Sequence, residues 1–126
     1  MLTQVDTPQA PGAVGPFSQA IRVGNLLFVS GQLPIDPNTG AFASDDAVGQ
    51  AEQCLKNLAA IAEAAGTDLS KTVKTTVLLT DLSHFAAVNA VYEGFFAQPY
   101  PARACYQVAA LPKGAQVEIE AVIAIP

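Results

Sequence analysis

The order of predicted secondary-structure elements indicates an α+β fold in two layers, with one mixed sheet covered on one face by two helices. Two patterns favour this fold. Apolar residues alternate along five short runs, as in strands with one buried face, and recur every three or four residues along two longer runs, as in amphipathic helices. The elements follow one another as strand, strand, helix, strand, helix, strand, strand. With 126 residues, the chain is expected to form one domain over 1–126.

The first two strands are predicted at 21–23 and 26–30. They flank Gly24-Asn25, a dipeptide that suits the tight turn of a hairpin. Prolines and glycines are concentrated at 8–16 before them, which predicts an extended loop of fixed shape. Turn-forming residues also dominate the segment after Gly31, which predicts a surface loop before the first helix.

The first helix is predicted over 46–65, where apolar residues step by three and four positions. Gly66 is expected to end it in a left-handed conformation. The sequence leaves its start open, because Ser44, Asp45 and Asp46 are each able to cap it.

The third strand and the second helix follow. Alternating β-branched residues predict the strand at 72–80. Ser83 is expected to cap the second helix, which runs to about Ala97 before Pro99 and Pro101 stop it.

The last two strands are predicted at 103–109 and 117–125. The Pro-Lys-Gly turn at 112–114 between them favours a hairpin. In its simplest register Glu118 lies about five residues from Arg103 along the sheet, or roughly 16 Å. The two side chains are therefore not expected to reach one small substrate within a single chain, and a site that uses both is expected between subunits.

The face of the sheet away from the helices is also expected to be buried. Both alternating sets of side chains in the last strand are apolar, which is unusual for a sheet with one face in water. The chain is 51% hydrophobic and only 13% charged, against about 25% charged residues in ordinary soluble domains. Sister subunits in a closed ring of identical chains are the simplest cover.

The composition disfavours several other partners. Eleven acidic against six basic residues give a net charge of −5, which repels nucleic acid. No apolar run approaches the roughly 20 residues of a membrane helix. The two cysteines have no C-x-x-C spacing, so a disulfide is not indicated and a reducing, cytoplasmic location is expected. One histidine and two scattered cysteines also make a zinc site improbable.

Few side chains are candidates for chemistry, and each has a structural alternative. Arg103 is either an ion-pair partner for Glu118 or Glu120 or a bidentate clamp for a carboxylate ligand. Glu118 is either an exposed sheet carboxylate or a base that orients water. Cys105 is by default a small buried hydrophobe. Asn89 is either a satisfied interior amide or a ligand contact.

The remaining candidates are weaker. Ser30, beside Gly31 at a strand end, is more often a turn residue than a nucleophile, and no G-x-S-x-G motif surrounds it. His84 falls in the first turn of the second helix, where a surface position is expected.

Several motifs in order along nearly the whole chain resemble those of the RidA (YjgF/YER057c/UK114) family. They are Gly-Pro-Phe-Ser-Gln-Ala at 15–20, Val-Ser-Gly-Gln-Leu-Pro at 29–34, Asn-Leu-x-Ala-Ile-x-x-Ala-Ala-Gly at 57–66, Val-Lys-Thr-Thr-Val at 73–77, Phe-Ala-x-Val-Asn-x-x-Tyr at 85–92, Pro-Ala-Arg-x-Cys at 101–105 and Val-Glu-Ile-Glu-Ala at 117–121. The resemblance implies a chorismate-mutase-like fold, a homotrimer with clefts between subunits, and 2-iminobutanoate/2-iminopropanoate deaminase activity without a cofactor.

The resemblance also implies roles for individual residues. Arg103 would bind the substrate carboxylate, Glu118 would activate water, and the main chain around Cys105 would contact the imine nitrogen or that water. Ser30, Gly31 and Asn89 would line the cleft. The family's usual tyrosine in the Gly-Pro-Tyr motif is Phe17 here, so one hydrogen bond is expected to be missing.

Two other function classes compete with the deaminase. A non-enzymatic, small-carboxylate-binding or chaperone-like trimer is the first alternative. A ribonuclease is disfavoured by the acidic net charge and by the lack of a catalytic histidine pair.

Overall fold

A computed structural model describes all 126 residues, and it contains six strands and two α-helices. The elements in chain order are β1 (Leu2–Val5), β2 (Ala20–Val23), β3 (Leu26–Gln32), α1 (Ala47–Ala64), β4 (Thr72–Leu79), α2 (Phe85–Phe95), β5 (Ala102–Gln107) and β6 (Val117–Ala124). The strands form one sheet in the order β1-β2-β3-β6-β4-β5. All pairings are antiparallel except that between β4 and β5. The predicted α+β class, with two helices on a mixed sheet, is confirmed.

The sixth strand is β1, which the sequence did not predict. It pairs in antiparallel register with β2, from Leu2 opposite Val23 to Val5 opposite Ala20. Its side chains are mostly exposed, and it has only four residues. A short edge strand without a buried face has no alternating pattern that would reveal it.

The predicted hairpin between the last two strands is wrong. Strand β4 lies between them, parallel to β5 on one side and antiparallel to β6 on the other. The chain leaves β5 where Val108 N donates to Leu79 O, and it returns where Thr80 N donates to Gln116 O. The connection therefore wraps around the end of β4. The register that placed Glu118 roughly 16 Å from Arg103 does not apply.

Both ends of α1 agree with the sequence. Of the three candidate caps, Asp46 is the one used, since its carboxylate accepts a hydrogen bond of 2.7 Å from the amide of Gly49. Gly66 follows the helix with φ of +83°, a left-handed conformation that favours glycine.

The start of α2 differs from the prediction. Ser83 does not cap it; Asp81 instead accepts a hydrogen bond from the amide of Ser83 and begins a short 3-10 turn over Leu82–His84. The helix follows directly, without a side-chain cap of its own, and ends at Phe95 rather than Ala97.

The core lies between the helices and one face of the sheet. In β6, Val117, Ile119 and Ile123 are fully buried on this face. Opposite them, α1 contributes its predicted apolar side, including Cys54, whose Sγ lies 3.6 Å from the carbonyl oxygen of Val117. Burial raises the pKa of the Cys54 thiol far above its usual range, so this cysteine is a core residue.

The other face of the sheet carries exposed apolar side chains. Phe28 of β3 is 46% exposed and Tyr106 of β5 is 57% exposed. Val122 of β6 pairs with Phe28 in the sheet register, and Leu78 of β4 pairs with Glu118; both apolar residues are only partly buried. Neither helix covers this open face. Neither helix combines the length and the apolar character needed to cross a membrane.

Candidate active site

Arg103 lies on the edge strand β5 and points toward α2. In the sheet register it pairs with Thr75, a buried residue on the helix-covered face. Its Nη1 donates a hydrogen bond of 2.5 Å to Oδ1 of Asn89. The central carbon of its guanidinium lies 5.4 Å from the centre of the Phe85 ring and 4.9 Å from that of the Tyr92 ring. Three side chains of α2 therefore hold one guanidinium, by a hydrogen bond and two cation–π contacts.

Arg103 has no acidic partner within the chain. The ion pairs of the structure are Lys56–Glu52 and His84–Asp81. The alternative in which Arg103 pairs with Glu118 or Glu120 is therefore wrong for the single chain. The exposed side of the guanidinium opens instead into a cleft of about 630 Å³. The cleft is lined by Ala86, Asn89, Ala90, Tyr92, Glu93, Tyr100, Pro101 and Arg103.

Glu118 lies on the open face of the sheet, half-buried against β3. Residues 117 and 119 on either side of it face the core, so the strand pleat directs Glu118 away from the helices. Its carboxylate packs on Gly31, where β3 contains a bulge between Val29 and Gln32. Burial raises the pKa of Glu118, and the nearby charge of Glu120 raises it further.

A second cleft, of about 530 Å³, surrounds Glu118. Its lining includes three of the predicted residues, Phe17, Ser30 and Gly31. The Phe17 ring is 54% exposed at this surface. The Ser30 hydroxyl donates a hydrogen bond of 2.6 Å to the carbonyl oxygen of Ser18, which ties β3 to the preceding loop. This contact agrees with Ser30 as a structural residue and gives no sign of an activated nucleophile.

The approach of Glu118 to Gly31 leads to a prediction. A Cβ at position 31 would overlap Oε2 of Glu118, so Gly31→Ala is expected to displace the carboxylate. Because the displaced atoms are the end of a flexible side chain, we expect little change in the melting temperature but a loss of about tenfold or more in the rate of any reaction that uses this carboxylate. Gly12→Ala is the matched control, since Gly12 lines the same cleft and its added Cβ meets nothing within 4 Å. Equal reaction rates for the two variants would contradict the prediction.

The structure places Arg103 and Glu118 on opposite faces of the sheet. Arg103 is level with Ala121 of β6, because both pair with Thr75. Glu118 is three residues further along β6 and two strands away, which separates the two Cα atoms by about 14 Å. The prediction that one chain does not bring these side chains together is confirmed, although the geometry behind it differs.

Cys105 follows Arg103 by two residues and faces the same side of β5. Its side chain is partly buried and packs against the edge of the core. Burial raises the pKa of the thiol, and the positive charge of Arg103 offsets this only in part. A protonated thiol in this position agrees with the small hydrophobe expected from the sequence. No group of three or more histidine, cysteine, aspartate or glutamate side chains is placed to hold a metal ion.

Comparison with known proteins places these features in a family. Residues 7–125 match the family model described as Endoribonuclease L-PSP. The chain belongs to this family, the RidA family. The resemblance seen in the sequence motifs is thereby confirmed. The acidic net charge of −5 and the single histidine do not support the ribonuclease activity that the family's description names.

Three relatives show how similar members of the RidA family are to this chain. A RutC family protein of Sinorhizobium fredii is 75% identical over 99% of both chains. The human 2-iminobutanoate/2-iminopropanoate deaminase is 50% identical over 94% of this chain and 86% of its own. The crystal structure of RidA from an Antarctic Psychrobacter is 50% identical, with a TM-score of 0.94 over 98% of this chain and 99% of that one. The expected enzyme class, a hydrolase that acts on C–N bonds, is confirmed, because relatives about half identical to this chain are named as imine deaminases.

The sequence analysis missed one buried residue, Gln19, that lines the Glu118 cleft. The side-chain oxygen of Gln19 accepts a hydrogen bond of 2.8 Å from the amide of Thr7. Its side-chain nitrogen donates to the carbonyl oxygens of Thr7, Ala10 and Pro11. Gln19 thus holds the proline-rich loop that forms one wall of the Glu118 cleft. A glutamine directly before a buried strand alanine, in a motif with Gly15 and Pro16, is the one local signal of this role.

Proposed function

We propose that this protein hydrolyses reactive 2-imino and 2-enamine acids, such as 2-iminobutanoate and 2-iminopropanoate, to 2-keto acids and ammonia. The main observation in support is the position of the Arg103 guanidinium. Side chains of α2 hold one side of it, and the other side is open to a cleft. The names of relatives about half identical to this chain support the same reaction. Its role would be to remove intermediates that are reactive toward other molecules.

Arg103 would bind the carboxylate of the substrate. A guanidinium presents paired N–H groups that match the two oxygens of a carboxylate, which a lysine ammonium does not. Asn89 occupies one N–H of Nη1, and the exposed remainder of the group faces the cleft. Asn89 would therefore both line the cleft and leave donors of the guanidinium free for the substrate.

Glu118 would hold and activate the attacking water. Its carboxylate accepts a proton from water while the oxygen adds to the imine carbon, and it then returns that proton to the nitrogen, which gives a carbinolamine. The C–N bond of the carbinolamine breaks as its hydroxyl proton passes to the nitrogen, so ammonia leaves and a 2-keto acid remains. The raised pKa of Glu118 makes it a stronger base than an ordinary glutamate. Ser30 and Gly31 would line this end of the site, and the main chain around Cys105 would contact the imine nitrogen or the water. An imine is already electrophilic, so orientation and charge stabilisation are sufficient and no cofactor is required.

The complete site would form between subunits of a homotrimer. Two observations support this arrangement: Arg103 and Glu118 face opposite sides of one sheet, and the open face carries exposed apolar side chains such as Phe28 and Tyr106. A second copy that covers the open face would exclude water from it and bring its own Arg103 to the cleft of Glu118. The two free thiols support a reducing, cytoplasmic location.

The proposed reaction is tested by a coupled assay. Threonine dehydratase generates 2-iminobutanoate, and the release of ammonia and 2-ketobutyrate is followed with and without the protein. Acceleration over buffer supports the deaminase. Binding of 2-ketobutyrate without any acceleration would instead support a non-enzymatic carboxylate-binding protein. Phe17 favours this alternative, because it lacks the hydroxyl of the family's usual tyrosine.

Phe17 provides a second prediction. Phe17→Tyr restores a hydroxyl at the exposed edge of the Glu118 cleft, where it is expected to bond the substrate or the water. One such bond contributes about 0.5–1.5 kcal/mol, so kcat/KM is expected to rise by up to about tenfold. The measurement is the coupled assay on both proteins. A lower kcat/KM for the tyrosine variant would show that the cleft requires an apolar ring.

A further inference from the structure

The guanidinium of Arg103 is fixed by contacts with three side chains, although it is exposed to the cleft. Arginine side chains at a surface ordinarily sample many rotamers, and ordering one of them costs free energy. Here Asn89, Phe85 and Tyr92 contact the same guanidinium, while its other side remains open to the cleft. Ordering the group before a ligand arrives reduces the entropy that is lost on binding.

Tyr92 links the Arg103 guanidinium to the hydrophobic core. Its hydroxyl lies 2.6 Å from Oγ1 of Thr75, and both residues are buried. Its ring packs against Phe96 with 4.5 Å between the ring centres. Thr75 is also the register partner of Arg103 in the sheet. The ring is therefore fixed at its hydroxyl and on its side, while it lies against the guanidinium.

We propose that Tyr92 is a positioning residue that acts through Arg103. The Thr75 hydroxyl and Phe96 fix the Tyr92 ring, and this ring, with that of Phe85, sets the plane of the guanidinium in which a substrate carboxylate binds. Tyr92 itself is not required to touch the substrate. The inference rests on the proposed function, because it assigns the carboxylate to Arg103.

The test measures the dissociation constant of 2-ketobutyrate by titration calorimetry, together with KM and kcat in the coupled assay. Tyr92→Leu removes the ring face and is expected to raise both the dissociation constant and KM by about tenfold, equal to about 1.4 kcal/mol, while kcat changes less than threefold. Tyr92→Phe keeps the ring but loses the hydrogen bond with Thr75 that helps to fix it, so it is expected to raise the dissociation constant by about threefold, less than Tyr92→Leu does. Phe85→Leu, at a side chain 37% exposed, is expected to raise the constant about threefold without harm to the fold.

Coupling to Arg103 separates positioning from a structural role. In the Arg103→Gln background there is no cation to orient, so the additional Tyr92→Leu change is expected to alter kcat/KM by less than twofold. Val88→Ala is the matched control, since Val88 is buried on the same helix and its loss is expected to lower the melting temperature without raising the dissociation constant. The inference is overturned if Tyr92→Leu weakens binding by no more than about twofold, whatever the effect of Phe85→Leu. It is also overturned if Tyr92→Leu costs the same factor in both backgrounds. If Arg103→Gln binds 2-ketobutyrate like the parent, the proposed function itself fails.

Discussion

Arg103→Ala is expected to lower kcat/KM for 2-iminobutanoate by about 10²- to 10⁴-fold. Each hydrogen bond to a charged group contributes about 1.5–3 kcal/mol, and a bidentate clamp supplies two. Arg103→Lys keeps the positive charge but not the paired N–H groups of the guanidinium, so it is expected to recover only part of the lost kcat/KM. The measurement is the initial rate of ammonia release, compared at substrate concentrations well below KM.

The matched control for this variant is Arg22→Ala. Arg22 is an exposed arginine of β2 whose Nε donates only to the carbonyl oxygen of Gly24. Its removal takes the same charge from the chain and is expected to leave kcat/KM unchanged within about twofold. A rate for Arg103→Ala above a tenth of the parental value, or an equal loss in the Arg22 variant, would contradict the carboxylate clamp.

Glu118→Gln is expected to lower kcat by about 10²- to 10⁴-fold while KM changes little, because the amide cannot accept the proton of water. In the parental protein kcat is expected to fall as the pH decreases through the raised pKa of Glu118. Glu120→Gln is the control, since it removes a neighbouring charge on the same face without removing the base. It is expected to remain active and to move the acidic limb of the pH profile to lower pH, because Glu120 contributes to the raised pKa.

The same carboxylate is expected to destabilise the fold at neutral pH. A carboxyl group with a raised pKa in the folded state binds its proton more tightly there than in the unfolded chain. Stability therefore falls as the pH rises from the ordinary glutamate pKa to the raised value, and the cost persists above it. Glu118→Gln removes this cost, so the variant is expected to melt at a higher temperature than the parent at pH 7. The difference is expected to vanish below the ordinary pKa, and a lower melting temperature at pH 7 would contradict the assignment.

The elements that the sequence predicted best are those with long, periodic burial patterns. The buried side of α1 and the alternation of Glu118 with its core-facing neighbours both follow from local spacing. The strand pairing did not follow from it, because β5 and β6 are neighbours in sequence but not in the sheet. A helix-length connection between β4 and β5 was the signal of their parallel pairing, since parallel strands need a crossover.

The environment of the candidate site residues depended on contacts between distant parts of the chain. Arg103 was identified from its residue type and from a family motif, whereas its packing on Tyr92 requires the register of β5 on β4. The contact of Glu118 with Gly31 likewise depends on the bulge in β3. No local pattern specifies such contacts, because they arise only when the strands have paired.

Co-assembly of two inactive variants tests most directly whether the site is shared between subunits. Arg103→Ala and Glu118→Gln chains, carrying different tags, are co-expressed in equal amounts, and oligomers that contain both are purified. If each site takes Arg103 from one chain and Glu118 from its neighbour, random mixing is expected to restore about one quarter of the parental activity per site before purification, and more in the mixed oligomers. Mixed oligomers no more active than the separate variants, or a fully active monomer of the parental chain, would contradict a site built by two copies.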